Sequence, residues 1–349
     1  MRFVDFLIAA RTDRVLFLVS LLILGVVFVN GWTDAPGAIT ASVSTGVLKM
    51  KNAAILAAIF NFLGALIMGA LNSSVMRSLG EITMLIGNGE GALAVLCASM
   101  LSIIIWSTLA WFFGIPTSES HALIAGVLGG ALAIGTDITP HSFNALRLAL
   151  VGLIFSLPIG FLAGIFYSKL LNLILRNING QKRERFIKRG QIVGASFMAF
   201  MHGAQDSQKF AGVLIAAICM TSNAPSDLGL FNSPLWITVM CSVIIAIGTS
   251  VGGYRIIKKV GMETVELTKE KGFASDMAGA TCMLIASMGG IPVSTTHTSS
   301  AAIIGAGMSD KKRALNVSSV RDMLLAWLFT FPSCGLLSFL ISKVIISFI

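Results

Sequence analysis

The sequence predicts an all-helical membrane protein that crosses the bilayer many times and consists of two related halves. Of its 349 residues, 55% are hydrophobic and 12% are charged, whereas about a quarter of the residues of a soluble protein are charged. Apolar runs of about 18 residues or more, long enough for spanning helices, recur along the whole chain. These runs do not alternate between apolar and polar residues, which excludes a transmembrane β-barrel.

The charge and cysteine content exclude several classes of function. The net charge is +9, but the basic residues lie in short connections between apolar runs, where they set orientation in the membrane. We therefore expect a lipid bilayer and no nucleic acid as partner. The five cysteines show no CxxC spacing, so no disulfide framework, zinc site or other cofactor is predicted. No GxxxxGKS or GxxxxGKT motif occurs, which argues against an ATP-driven pump.

The apolar runs predict nine spans, of which the first, sixth and eighth are interrupted. They cover approximately residues 15–48, 52–72, 92–113, 116–135, 145–172, 190–221, 234–256, 277–308 and 322–349. In the first span, Pro36 removes a backbone donor and Gly37 loosens the chain, so the helix should break there. Such a break is tolerated at membrane depth where protein or a wet cavity satisfies the backbone.

Two further connections carry structural signals. Residues 73–91 contain charged residues and glycines, and are predicted to be a loop. Pro116 ends the third span, and the hydroxyls that follow it are suited to cap the next helix. The strongly basic segment 176–189 is predicted to be a cytoplasmic linker between two membrane repeats, residues 1–175 and residues 190–349.

The second half repeats the signals of the first half in the same order. Asp206 matches Asp34 at an offset of 206 − 34 = 172, and His297 matches His121 at an offset of 297 − 121 = 176. Two motif pairs at nearly one offset indicate an internal duplication. Counting spans away from the basic linker places the starts of the two halves on opposite sides of the membrane. The sequence therefore predicts inverted repeats, with broken helices or helical hairpins that meet at a site near the midplane.

The interrupted helices predict a site for a tetrahedral oxyanion. Helix N-termini at membrane depth attract anions through free N–H groups and the helix dipole. Hydroxyls follow two of the breaks, and a lysine adds positive charge. The predicted substrate-binding residues are Asp34, Thr117, Ser118, Ser120, Gln205, Asp206, Lys209, Ser294, Thr295 and Thr296.

The carboxylates of Asp34, Glu119 and Asp206 are unexpected beside an anion, because like charges repel. Two interpretations remove the conflict. The carboxylates carry a coupling cation or proton, or they accept hydrogen bonds from the protonated oxygens of phosphate. Sulfate at neutral pH has no such donor, so the second interpretation favours phosphate.

Other interpretations remain open for single residues and for the whole chain. A lone Asp in an apolar run is often a helix cap, and His121, His202 and His297 are each typical of hydrogen-bonded core histidines. A sulfate permease, a passive anion channel and an intramembrane hydrolase are the alternative functions. Because duplicated motifs suit alternating access better than one catalytic centre, we do not expect an enzyme.

The repeated segments resemble those of the bacterial inorganic phosphate transporter (PiT) family. Residues 30–40 (Asn-Gly-Trp-Thr-Asp-Ala-Pro-Gly-Ala-Ile-Thr) and 202–209 (His-Gly-Ala-Gln-Asp-Ser-Gln-Lys) are similar to its duplicated Gly-Ala-Asn-Asp signatures. Residues 115–121 and 291–297 are similar to its Pro-x-Ser-x-x-His segments. The resemblance implies a homodimer of the inner (plasma) membrane that takes up inorganic phosphate with a cation by alternating access.

The chain departs from the family signatures at four positions. Thr33 and Gln205 stand where the family has Asn before Asp, and Gly37 and Lys209 stand where it has Asn three residues after Asp. These changes weaken the sodium ligands that the resemblance implies at the two aspartates. An ammonium at Lys209 can take the place of a cation electrostatically, so proton coupling is favoured over sodium coupling.

The expected coupling residues are the three carboxylates. The resemblance makes sodium possible at Asp34 and Asp206, whereas Asp34, Asp206 and Glu119 are the expected proton carriers. Glu119 stands where the second half has Thr295, so it is the asymmetric candidate.

If residues 176–189 lie in the cytoplasm, a cysteine introduced by Arg185→Cys should not react with a membrane-impermeant maleimide added to intact cells. The same variant in permeabilised cells is the positive control, and the unsubstituted protein gives the background. Efficient labelling of intact cells would reverse the predicted topology.

Overall fold

The protein is built from helices. The computed structural model describes residues 2–136, 140–178, 180–222, 234–251, 253–309 and 315–348. Within these ranges the regular structure is helical, apart from one bridge between Val265 and Leu315. The α-helices described are α1 (Phe3–Thr12), α2 (Arg14–Thr33), α3 (Thr40–Ser44), α4 (Met50–Leu71), α5 (Ser74–Thr83), α6 (Glu90–Phe112), α7 (Glu119–Ile134), α8 (Pro140–Leu175), α9 (Gly180–Ser222), α10 (Leu235–Val251), α11 (Tyr254–Ile257), α12 (Lys269–Met288), α13 (Thr295–Met308) and α14 (Val317–Ile346).

Apolar helices pack around more polar ones. Five segments of the described chain are long and apolar enough to cross a membrane, and α10 with the bent segment after it would form a sixth. The five are Arg14–Ser44, Met50–Leu71, Glu90–Phe112, Phe143–Leu175 and Val317–Ile346. The predicted span at 116–135 is not among them, because α7 has only 16 residues. The predicted spans at 190–221 and 277–308 are not among them either. They correspond to α9, α12 and α13, and every residue from 201 to 220 of α9 is buried. The polar helices therefore lie inside the bundle, where protein and not lipid surrounds them.

The predicted break in the first span is confirmed. α2 ends at Thr33, a 3₁₀ turn covers Ala35–Ile39, and α3 begins at Thr40. Pro36 stands in the first turn after the break, where its missing N–H group costs no helical hydrogen bond. Asp34 is thereby placed at the junction of two helical segments, buried inside the bundle.

The predicted interruption of the sixth span is wrong, because α9 continues through Asp206 without a break. At the offset of 172, Gln208 and Lys209 stand at the positions of Pro36 and Gly37 (36 + 172 = 208 and 37 + 172 = 209). Both residues keep their backbone N–H groups and have good helix propensity. The duplication therefore preserves the position of the aspartate and not the shape of the backbone around it.

Two segments predicted to be loops are helical. The basic segment 176–189 is helical from Gly180 onward, although most of its side chains are exposed. Within residues 73–91, Ser74–Thr83 form the amphipathic helix α5, which buries residues such as Val75 and Leu79, and a 3₁₀ turn follows at Met84–Ile86. These helical segments are not predicted from the sequence because charged residues on their exposed faces interrupt the apolar runs.

The two halves interlock through close contacts at glycines. A Cβ atom on Gly31 of α2 would lie 2.4 Å from the Ile245 carbonyl oxygen of α10. A Cβ atom on Gly203 of α9 would lie 2.1 Å from the Asn61 carbonyl oxygen of α4. The two glycines are related by the same offset, since 203 − 31 = 172. Each half therefore packs its motif helix against a helix of the other half.

The reverse contacts follow the same pattern. A Cβ atom on Gly64 of α4 would lie 1.8 Å from the Phe200 carbonyl oxygen, and one on Gly248 of α10 would lie 2.3 Å from the Phe28 carbonyl oxygen. The two phenylalanines are again 200 − 28 = 172 residues apart. Small residues that allow such backbone approach are typical of helix interfaces in membranes.

Two helical hairpins complete the bundle. α6 and α7 form the first hairpin, and α12 and α13 form the second. Each hairpin turns at a glycine with positive φ, +69° at Gly114 and +66° at Gly290, and 290 − 114 = 176. After each turn the chain enters a new helix at a serine N-cap, Ser118 for α7 and Ser294 for α13.

We expect Gly64→Ala to destabilise the protein, because the added methyl group would overlap the Phe200 carbonyl. Overpacking of this kind costs about 1–3 kcal/mol. Gly91→Ala is the matched control, because a Cβ atom there has no neighbour within 4 Å. The measurement is the thermal unfolding midpoint of the purified variants. Equal midpoints would show that α4 and α9 are not in backbone contact.

Candidate functional site

The site is organised around two helix N-termini that meet inside the bundle. The N-cap hydroxyls of Ser118 and Ser294 are 2.8 Å apart. Each hydroxyl accepts a hydrogen bond from the backbone of its own helix, from His121 N at 3.3 Å and from His297 N at 3.1 Å. The positive ends of two helix dipoles thus point to one place, which favours an anion there.

Asp206 is the most fully compensated carboxylate of the site. It pairs with the Lys209 ammonium at 2.7 Å, and accepts hydrogen bonds from Asn30 Nδ2 at 3.0 Å and Thr295 Oγ1 at 3.2 Å. His202 Nε2 lies 3.3 Å from the same carboxylate. Asn30 and His202 are equivalent positions of the two halves, since 202 − 30 = 172. Both halves therefore contribute the same motif position to one aspartate.

Lys209 connects three parts of the protein. It is 1% exposed, and its ammonium lies 2.7 Å from each of three oxygens, Asp206 Oδ1, Ser120 Oγ and the Val293 carbonyl oxygen. An ammonium has three donors, so all of them are used within the protein. Lys209 thus ties α9 to the start of α7 and to the connection before α13.

Asp34 and Glu119 form an acidic pair without a cationic partner. They are 4% and 2% exposed, and the Glu119 backbone N–H approaches Asp34 Oδ2 at 3.5 Å. Thr33 Oγ1 donates to Glu119 Oε1 at 3.2 Å, and the Ser107 hydroxyl interacts with the Glu119 carboxylate without reaching hydrogen-bond geometry among the described residues. Lys209 affects Glu119 only at longer range. Among the ion pairs of the described residues, none includes Asp34 or Glu119.

The remaining predicted residues lie around these two centres. Thr117 is buried beside Ser118, and the Thr296 hydroxyl interacts with Asp34 without reaching hydrogen-bond geometry. Gln205 is turned toward the second hairpin, where its Nε2 donates to Ser287 Oγ at 2.9 Å. The structure thus brings together the hydroxyls of Ser118, Ser120, Ser294, Thr295 and Thr296, whereas Gln205 supports the hairpin.

Two histidines form a cluster of tilted rings with Trp327 that the sequence does not predict. The His121 and His297 rings are 4.5 Å apart, and the His297 ring is 4.3 Å from the Trp327 ring. Trp327 Nε1 donates to the Pro116 carbonyl oxygen at 2.9 Å. These contacts link the starts of α7 and α13 to α14.

Two residues in contact with Asp206 are not predicted as site residues from the sequence. Asn30 belongs to a motif but has no predicted role, and His202 is interpreted as a core histidine. The equal spacing of Asn30 and His202 from their aspartates is the sequence signal that indicates them.

The side-chain contacts of the site leave few groups available to bind a metal ion. No group of three or more His, Cys, Asp or Glu side chains in the described parts of the chain is placed to hold a metal ion. Asp206, predicted as a possible sodium ligand, already has the Lys209 ammonium at 2.7 Å. The carboxylates of the acidic pair are the ones left for a cation.

Comparison with known proteins identifies similar chains. The model of the phosphate transporter family matches residues 30–338. A Bacillus subtilis protein named "probable low-affinity inorganic phosphate transporter" is 32% identical over 305 residues, which cover 87% of this chain and 89% of the relative. A Rhizobium meliloti protein of the same name is 32% identical over 311 residues, covering 89% and 90% of the two chains.

The fold is also that of a solved structure. A protein described as "the sodium-dependent phosphate transporter" superposes with a TM-score of 0.82 and 20% sequence identity, over 97% of this chain and 100% of that chain. At this identity the likeness concerns the fold.

We expect Asp206→Asn to destabilise the protein and to abolish phosphate uptake, because it leaves a buried ammonium without its carboxylate. Removing one partner of a buried ion pair costs about 3–5 kcal/mol. The double variant Asp206→Asn, Lys209→Met removes both charges and should recover much of the thermal stability. Full transport by the single variant, with an unchanged unfolding midpoint, would contradict the assigned role of Asp206.

Proposed function

This chain belongs to the phosphate transporter family, and on that premise we propose that it imports inorganic phosphate together with a cation, with a proton as the coupling ion. The observation that carries the coupling is the buried acidic pair of Asp34 and Glu119, which has no cationic partner in the described chain. The pair lies beside the two N-caps where the anion would bind.

Phosphate is proposed to bind where α7 and α13 begin. Ser118 and Ser294, with Ser120, Thr295 and Thr296, supply hydroxyls around the two helix N-termini. Hydroxyl donors and free N–H groups suit the oxygens of a tetrahedral anion. Binding would break the Ser118–Ser294 contact and let each hydroxyl turn to the substrate.

The charge balance explains why a cation must accompany the anion. If ionised, Asp34, Glu119 and Asp206 contribute −3 and Lys209 contributes +1, so that the site has a net charge of −2. An anion cannot enter such a buried site without a large electrostatic cost. A proton or cation on the acidic pair reduces that cost, and the two species therefore bind together.

The geometry favours a proton over sodium as the coupling ion. Asp34 Oδ2 lies 3.5 Å from the Glu119 backbone N–H group, and the two buried carboxylates repel each other without an ammonium beside either of them in the described chain. Two neighbouring carboxylates readily share one proton. Sodium remains the second candidate, since the solved neighbour is described as sodium-dependent and Thr296 offers a further oxygen near Asp34.

Alternating access is supported by the way the hairpin turns are held. Arg255 stacks on the Phe112 ring at 5.3 Å and donates to the Phe112 carbonyl at the first turn. Ser78 Oγ donates to the Gly290 carbonyl at 3.1 Å at the second turn. Each hairpin turn therefore contacts a helix of the other half, α11 at the first turn and α5 at the second. Breaking the contacts of one turn at a time would open the site to one side of the membrane at a time.

The test is uptake of radiolabelled phosphate into proteoliposomes under an imposed proton gradient and, separately, a sodium gradient. We expect accumulation driven by the proton gradient and resistant to excess unlabelled sulfate. Accumulation driven only by the sodium gradient would show that sodium, and not a proton, is the coupling ion. Strong sulfate competition would favour a sulfate permease, and equilibration without accumulation would indicate a channel.

Glu119→Gln should remove the response of uptake to the proton gradient, because the glutamine amide does not gain or lose a proton near neutral pH. Downhill phosphate exchange should persist, since the anion-binding hydroxyls are unchanged. Glu90→Gln is the matched control, because Glu90 is exposed at the start of α6. A Glu119→Gln variant that still accumulates phosphate under a proton gradient would remove Glu119 from the coupling.

A further inference from the structure

The two halves differ at one position that controls the charge of the site. Lys209 stands three residues after Asp206, and Gly37 stands three residues after Asp34, with 37 + 172 = 209. The offset is the one that relates the packed glycines and phenylalanines of the two halves. The second half thus carries an ammonium where the first half has no side chain.

The contacts of the ammonium are those of a bound cation. Its three neighbours are a carboxylate oxygen, a hydroxyl oxygen and a backbone carbonyl oxygen, from Asp206, Ser120 and Val293, each at 2.7 Å. Oxygen ligands of these three kinds are typical of sites for hard cations. The ammonium is also buried, so solvent does not compete for it.

We propose that Lys209 is a built-in cation, which permanently occupies one of two equivalent cation positions and leaves only the position at Asp34 for a mobile ion. This inference rests on the proposed function in one respect, namely that a mobile cation is coupled to phosphate. Because Lys209 is covalently attached, it neutralises Asp206 in every state of the cycle. The transporter then moves one cation fewer per cycle than a protein in which both positions take mobile ions.

The duplication indicates which atoms form the equivalent position in the first half. Applying the offsets to the three ammonium ligands gives Asp34 (206 − 172), Thr296 (120 + 176) and the carbonyl oxygen of Thr117 (293 − 176). Thr296 Oγ1 is buried beside the Asp34 carboxylate and makes no hydrogen bond to another group within the described residues. A mobile cation or proton held between Asp34 and Thr296 would be bound by oxygens of both residues.

The space at Gly37 is consistent with this assignment. A Cβ atom there would meet one atom within 4 Å, the Ser299 hydroxyl oxygen at 3.4 Å, which is an ordinary contact distance. Glycine is therefore not imposed at this position by close packing.

The competing explanation is that Lys209 binds phosphate directly. Its three donors are already used by protein oxygens, so a direct contact would require the loss of at least one of them. The two explanations predict different results when a small free ammonium ion is added to a variant that lacks the Lys209 side chain.

The first experiment replaces the attached cation by a free one. Lys209→Ala leaves the Asp206 carboxylate uncompensated and opens space beside it. Methylammonium should raise the thermal unfolding midpoint of this purified variant and restore part of its phosphate uptake, which we expect to be reduced by more than about tenfold. The unsubstituted protein should show neither effect.

Two controls separate this result from a general effect of the amine. Lys271→Ala removes another buried lysine, one that donates to the Gly307 carbonyl outside the site, and should not be rescued. The double variant Asp206→Asn, Lys209→Ala removes the carboxylate as well, and should not be stabilised by methylammonium. Equal stabilisation of the double variant, or undiminished uptake by Lys209→Ala without added cation, would overturn the proposal.

The reciprocal experiment adds a fixed cation to the first half. Gly37→Lys should place an ammonium beside Asp34, so that phosphate exchange becomes independent of an imposed proton or sodium gradient. Gradient-driven accumulation by Gly37→Lys would also overturn the proposal. The thermal measurements do not depend on transport. If the unsubstituted protein fails to take up phosphate while methylammonium still stabilises Lys209→Ala, the proposed function fails and the built-in cation stands.

Discussion

The need to balance charge inside an apolar bundle is the constraint on which the rest of the structure depends. Three carboxylates are buried around the two N-caps, and only Asp206 has an ammonium beside it. An unpaired buried charge is so costly that surrounding elements must supply dipoles, donors or ions. The meeting of α7 and α13, the continuous α9 and the broken α2 are all arrangements that bring such groups to one point.

Much of this arrangement could be predicted from the sequence, because its strongest signals are local. Proline and glycine after Asp34 determine the break of α2, and the repeated motifs place the hydroxyls together. The continuity of α9 could not be inferred from the duplication, since Gln208 and Lys209 restore helical hydrogen bonds that Pro36 prevents. The equal spacing of Asn30 and His202 from their aspartates marks the two positions as equivalent, but only the folded chain shows that both side chains reach Asp206, one from 176 residues away and one from the same helical turn.

The asymmetry between the halves gives the duplicated scaffold two different centres. At the Asp206 centre, a fixed ammonium lies beside the carboxylate and all three of its donors are used by protein oxygens. At the Asp34 centre, the described chain places no ammonium beside either carboxylate. A buried carboxylate with a fixed ammonium needs no mobile cation, whereas one without it can take a proton or a cation. The second half thus carries its own fixed cation, and the first half offers the position for an exchangeable proton or cation.

The interlocked glycine contacts have a consequence for biogenesis. The partner surfaces of α2 and α4 belong to α10 and α9, which are synthesised later. During insertion, the first half must therefore hold its polar groups, including Asp34 and Asn61, in the bilayer before their neighbours exist. Its apolar flanks are long enough to anchor it there. Because residues of both halves form the site, it cannot be completed until the second half of the chain has been synthesised.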